Sequence, residues 1–118
     1  MNDDLNSFLP LSPAVLHIFL SLAGEDRHGY AIMQEIARQS EGRYKMGPGT
    51  LYDNLQKLLE RGFVAEQPRK KDDDDDPRRR YYRLTPPGRR LLSTEITRLE
   101  SVVREARLHL QTSHGRPR

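Results

Sequence analysis

Cysteine and tryptophan are absent from the 118 residues, and only eight aromatic side chains are present, five tyrosines and three phenylalanines. Without thiols there is no disulfide framework, no thiolate metal cage and no cysteine nucleophile, and a reducing compartment is permissible. Long apolar runs are missing as well. The longest, Ala14 to Ala23, is broken by His17 and Ser21 and is half the roughly 20 residues that a bilayer span requires. The opening Met1-Asn2-Asp3-Asp4 is acidic and polar, unlike the basic and then apolar start of a secretory signal. These absences describe a soluble, cytoplasmic protein with no membrane partner. The four histidines are scattered at 17, 28, 109 and 114, and no glycine-rich phosphate loop or paired metal motif occurs. That argues against an enzyme, and no metal or other cofactor is expected.

Length allows one domain with a modest core. The hydrophobic fraction, 35%, is low, which implies either a thin core or apolar surface completed by a second subunit. Lysine and arginine number 20 against 17 acids. Five of those acids stand in the single run Asp72 to Asp76, so the rest of the chain sets 20 cations against 12 acids, a surplus of eight. A basic body is the expected footprint of a polyanion-binding protein, although solubility accounts for part of it.

Between Gly47 and Gly62 the spacing predicts an amphipathic helix. On a wheel of 3.6 residues per turn, Leu51, Tyr52, Leu55, Leu58 and Leu59 share one face, with Thr50, Asp53, Asn54 and Lys57 opposite. Gly47 is an acceptable N-cap, Pro48 suits the first helical position, and Gly62 suits the left-handed close. Short polar residues near the N-terminus are what a helix-turn-helix element presses against base edges. Periodicity alone favours an ordinary solvated helix, because most surface helices carry no ligand.

Upstream, residues 1–10 read as a flexible lead, and Ser12 caps a helix from Pro13 that is apolar nearly all round. Such a helix is sandwiched between its own domain and another element, plausibly a partner subunit. His17 lies in apolar company with no second ligand at helical spacing, and is expected to be a hydrogen-bonded core histidine. A second helix spans about Gly29 to Gln39, with Tyr30, Met33, Ile36 and Ala37 inward, and Arg43-Tyr44-Lys45-Met46 is expected to supply a short first strand. Lys45 there faces phosphate or forms part of a solvated turn. Downstream, Phe63 to Gln67 and Arg80 to Leu84 read as an antiparallel pair with Tyr82 and Leu84 in the core.

Thr85 caps the last helix, with Pro86 at its first position. Within it Leu92, Ile96, Leu99, Val103, Ala106 and Leu110 recur at intervals of 4, 3, 4, 3 and 4, a heptad seam of the type that favours two strands. The seam is too short to associate by itself, so Leu16 and Phe19 of the first helix are expected to contribute. Packing within one monomer is the alternative.

Three motifs in order, His28-Gly29-Tyr30, Gly49-Thr50-Leu51-Tyr52 and Arg80-Tyr81-Tyr82-Arg83-Leu84-Thr85 followed by Gly88, give the chain its resemblance to the PadR family of transcriptional regulators. The matches run from residue 14 to 110 without a large insertion. The resemblance implies a mainly α fold with a small β-hairpin: a winged helix-turn-helix domain over residues 11–85, a dimerisation helix over 86–110, and a basic tail over 111–118. It further implies a homodimer bound to double-stranded DNA at a palindromic operator, repressing a nearby promoter, often relieved by a small effector.

On that basis Thr50 and Asn54 are the candidates for base edges, with Lys57 for phosphate or guanine. Tyr52 is divided between core packing and a phosphate hydrogen bond. His28 and Tyr30 stand where helix-start N–H groups hold phosphate, and Arg78, Arg79 and Arg80 are candidate wing contacts. The Asp72 to Asp76 run departs from the family pattern, whose wing tips are usually basic or neutral. Four readings compete for it: a self-paired solvated loop, rejection of non-specific DNA, a basic protein partner and, last, calcium capture. The acidic tip also keeps open a winged-helix adaptor that binds protein and no DNA.

Overall fold

The computed structural model describes residues 5–67 and 80–114, with side chains through Gln111. Arg78, Arg79, the acidic run and the last four residues lie outside the described residues. The element order is α1 (Pro13–Leu22), β1 (Arg27–His28), α2 (Gly29–Gln39), α3 (Pro48–Glu60), β2 (Val64–Gln67), β3 (Tyr81–Leu84) and α4 (Pro86–His114). The three strands form one antiparallel sheet in the order β1-β3-β2. This is the mainly helical, winged architecture the motifs imply.

Local chemistry explains the boundaries. The Ser12 hydroxyl accepts from Val15 N at 3.2 Å and Pro13 opens α1, so one orphan donor of the first turn is satisfied. α3 also begins at a proline, and Gly62, at φ 79°, takes the left-handed turn that ends it. At the start of α4 the Thr85 hydroxyl accepts from Gly88 N at 3.1 Å while donating to Gly62 O at 2.6 Å. One side chain thus caps the last helix and ties it to the end of α3. A Cβ at Gly88 would overlap the Phe63 carbonyl oxygen, which is why the helix can lie so close to the strand.

The core is a single cluster built from α1 (Ile18, Phe19, Leu22), α2 (Ile32, Ile36), α3 (Leu51, Leu55, Leu58), the sheet (Val64, Tyr82, Leu84) and the root of α4 (Leu91, Leu92). α1 touches α2, α3, α4 and β3 of its own chain. Ile18, Phe19 and Leu22 are buried within one protomer, and Phe19, expected at an interface, is 0% exposed and edge-on to Phe63 at 6.5 Å. Phe19 is a core residue.

Several further expectations are corrected. Residues 43–46 make no strand, because the Ser40 hydroxyl accepts from Tyr44 N at 3.0 Å and donates to Tyr44 O at 3.2 Å. Both backbone groups of Tyr44 are so engaged, and the sheet's first strand is Arg27–His28, paired to Tyr82 and Tyr81. That pairing also buries Tyr81, which joins Tyr82 and Leu84: the His28 ring meets it edge-on at 5.3 Å. In α2 the inward line is Gly29, Ile32 and Ile36, while Tyr30 points out at 59% exposure. The end of the lead is ordered. Phe8 packs edge-on to Phe63 at 5.0 Å beneath the Arg61 guanidinium, and Leu5, Leu9 and Leu11 join the core margin. His17 is held by stacking on Tyr44 at 4.5 Å, and its Nδ1 is buried without a hydrogen bond. α4 continues to His114, four residues past the expected end.

Candidate nucleic-acid interface

Burying Leu51, Leu55 and Leu58 leaves the opposite side of α3 to solvent, since side chains one and two places along a helix point elsewhere. The exposed residues there are Gly49, Thr50, Asp53, Gln56, Lys57 and, at the far end, Glu60. Gly47 and Pro48, also exposed, lead the helix outward with small side chains, so its backbone can approach a surface closely. The first N–H groups of α3 have no side-chain cap, and the helix dipole adds a partial positive charge there. This end suits a polyanion. Asn54 is turned to the flank, half-buried, with Nδ2 donating to Thr50 O at 2.8 Å.

Tyr52 stands at the edge of the leucine face, 48% exposed. Its hydroxyl lies where a Cβ on Gly29 would be, so the absence of a side chain at Gly29 is what admits the ring to the start of α2. Burial, with the nearby Tyr52 and Glu66, raises the Tyr82 phenol above its ordinary value, Arg80 opposing. Tyr52 thus links α3 to the start of α2. Beside it His28 caps α2, its Nδ1 accepting from Ala31 N at 3.2 Å. Tyr30, two residues on, is open to solvent.

The remaining cations divide. Arg80 is exposed and pairs with Glu66 across the hairpin at 3.0 Å, an exposed link of small worth that a phosphate can replace. Lys45 is exposed in the segment before α3. Arg27, which sequence reasoning passed over, is structural: its Nε donates to Ser21 O at 2.7 Å and its other nitrogens lie 3.8 Å from Glu25 and 3.7 Å from Glu35. Among the described residues no cluster of histidine and carboxylates is arranged to hold a metal, and no helix is long and apolar enough to cross a membrane.

α4 carries a second surface. Its root is buried through Leu91 and Leu92, but the same face continues past the domain as half-buried Leu99 and exposed Val103, Ala106 and Leu110, the last at 71%, flanked by Ile96 and Val102. Leu16 is half-buried on α1. At the point where α4 leaves the core, Glu95 is 1% exposed. Its carboxylate accepts from Arg98 at 2.6 and 3.0 Å and from Leu11 N at 3.0 Å. The Arg98 hydrogen bond, outweighing burial and helped by Leu11, holds it below the usual carboxylate range. An acid one residue before Ile96, with an arginine three places on, was the available signal for it; only the fold shows that the Leu11 backbone completes the site.

Known proteins share this layout. The family model described as the transcriptional regulator PadR-like family matches residues 15–94. The transcriptional regulator Rv3488 of Mycobacterium tuberculosis is 37% identical over 90 residues, covering 76% of this chain and 78% of that protein. A PadR family transcription regulator from Clostridium difficile R20291 superposes with a TM-score of 0.68 at 23% identity, covering 84% of this chain and 99% of that one. A PadR-like transcription factor from Bacteroides fragilis gives 0.65 at 25%, covering 92% and 99%. Helices, wing and long terminal helix thus recur as a set, and this chain belongs to the PadR-like family of transcriptional regulators.

Proposed function

We propose that the protein is a homodimeric, sequence-specific DNA-binding repressor that lays the N-terminal half of α3 from each subunit into successive major grooves, about 34 Å apart on one face of the duplex. The observation that carries this reading is α3 itself: a helix with an uncapped N-terminus behind Gly47 and Pro48 and an outward row of Thr50, Asp53 and Lys57, braced from behind by three buried leucines. Thr50 reads a base edge and Lys57 holds phosphate or guanine. Tyr52 and Tyr30 flank the backbone together with the start of α2, and Arg80 follows the wing. Each α4 clasps its counterpart through Leu99, Val103, Ala106 and Leu110, with Ile96 at the margin. Repression follows from occupancy of a promoter, and an effector that shifts the α3 spacing relieves it. The setting is cytoplasmic.

Selection of bound duplexes from a random pool tests this directly. A palindromic consensus is expected, with affinity falling steeply as salt rises because phosphate contacts release counterions. Failure to enrich any duplex, with protein partners captured in its place, marks the adaptor alternative.

A further inference from the structure

We infer that Asp53 fixes base identity at the centre of the α3 row by accepting from the N4 amino group of a cytosine in the major groove, and that its negative charge disfavours duplexes lacking a cytosine there. The inference deepens the DNA-binding reading and rests on it. Asp53 is exposed between Thr50, three residues before it, and Lys57, four residues after it, so the three share one outward face of α3. The neighbouring amide does not compete for this place, because Asn54 is half-buried at the flank with Nδ2 donating to Thr50 O at 2.8 Å. Among the described residues no hydrogen bond or ion pair engages the Asp53 carboxylate, and Lys57 is not paired with it.

An unpaired acid in the middle of a surface that meets a polyanion must find a donor. Phosphate repels it, and taking a carboxylate out of water without a hydrogen bond is costly. A carboxylate can only accept. Of the groups that line the major groove, guanine N7 and O6 and thymine O4 are acceptors too, which leaves the amino groups of cytosine and adenine. Adenine sets its N7 acceptor beside the amino group, against the second carboxylate oxygen, whereas cytosine has no acceptor next to N4 on its own base. Cytosine is the base that fits. Reach comes from the approach: Gly47, Pro48 and Gly49 are exposed and small, so a short side chain one turn further on is not held away from the groove. Asp53 lies about 4.5 Å along the helix from Thr50, close to the step from one base pair to the next, which places the cytosine beside the base that Thr50 contacts.

Selection from a random duplex pool is run with the full chain as wild type, Asp53→Asn, Asp53→Ala and Lys57→Gln. These substitutions lie at exposed positions and leave the buried leucines of α3 untouched, so all four chains are expected to give the same far-ultraviolet circular dichroism. The wild type is expected to enrich a C·G pair at one position of each half-site. Asp53→Asn should turn that position to A·T, since an amide pairs adenine N6 and N7. Asp53→Ala should accept all four pairs there, and Lys57→Gln should keep C·G. In duplex anisotropy, replacing C·G by T·A is expected to weaken the wild type about tenfold and Asp53→Ala less than about twofold. On a scrambled duplex Asp53→Ala should bind about threefold more tightly than the wild type, the effect of removing one like charge near phosphate in water. Retention of C·G by Asp53→Ala, or its loss in Lys57→Gln, overturns the base assignment, because Lys57 on the paired guanine then carries the preference. Unchanged or weaker binding of Asp53→Ala to scrambled DNA overturns the role of its charge. A wild type that enriches no duplex defeats the DNA-binding reading, and this inference with it.

Discussion

Thr50 and Lys57 lie on the same helix and are expected to fail differently when replaced. Thr50 sits in the first turn and is proposed to read a base, so Thr50→Ala should narrow the gap between the selected duplex and a scrambled one by about 1–3 kcal/mol. Lys57 is proposed to meet phosphate, so Lys57→Gln should weaken both duplexes and lower the salt slope by about one. Anisotropy over a salt series measures both effects. The two close glycines separate in the same way. Gly88→Ala drives a Cβ into the Phe63 carbonyl, backbone that cannot yield, and should cost about 1–3 kcal/mol in urea unfolding. Gly29→Ala meets only the end of the Tyr52 side chain, which can swing aside. Its expected signature is weaker duplex binding with a loss of stability smaller than that of Gly88→Ala.

Glu95 gives the residue scale its pH dependence. Its folded pKa lies below the ordinary value of 4.5, so folding favours the ionised form. The stabilisation is fully present above the ordinary carboxylate range and is lost as pH falls through the folded value. Glu95→Gln should therefore cost about 1–3 kcal/mol near neutrality, and the difference from wild type should shrink in acid. Thermal unfolding from neutral pH downward checks it. A gap that stays constant with pH would mean that shape, not charge, holds Leu11 to α4.

At the scale of elements, α4 is longer than the domain it leaves. From Leu91 to Glu95 its inner face is enclosed by its own chain, and from Val102 onward every described side chain is exposed. An apolar stripe that continues without cover is the kind of surface that a second subunit removes from water. Val103→Glu places charge in that seam without touching the core, so it should yield a folded monomer, with unchanged helical signal and a halved mass in sedimentation. Leu99→Glu carries more risk to the fold, because Leu99 is half-buried.

Elements with strong periodicity and explicit end signals were legible before the fold was known. The α3 leucines, the Pro48 and Gly62 boundaries, the hairpin of β2 and β3 and the Thr85 cap follow from local chemistry that the tertiary fold does not override. What stayed hidden depended on contacts between distant segments. A two-residue strand at Arg27–His28 has no periodicity and exists because β3 offers it an edge. Tyr30 and Ile32 could not be ordered by hydropathy alone, since rotating α2 by a fraction of a turn exchanges them. The ordered lead was missed because Phe8 finds its partner, Phe63, 55 residues away. At the candidate interface, the outward positions of Thr50 and Lys57 could be read from the wheel, whereas the flank position of Asn54 and the Tyr52–Gly29 contact needed the packed helices.

At the scale of the whole molecule, one small domain has too few outward side chains to specify a long site, and in the proposed homodimer repetition by symmetry supplies the rest. The surplus of positive charge outside Asp72 to Asp76 draws the assembly to a polyanion, while α3 decides where it stops. Two recognition helices can enter successive grooves only when their spacing matches a helical turn, and in the proposed homodimer the pairing of α4 sets that spacing. Sedimentation equilibrium of the full chain with a selected duplex tests this arrangement most directly. Two chains on each palindromic duplex is the expected stoichiometry, and it should be lost when one half-site is scrambled; one chain per duplex, or chain and duplex sedimenting separately, would contradict the account.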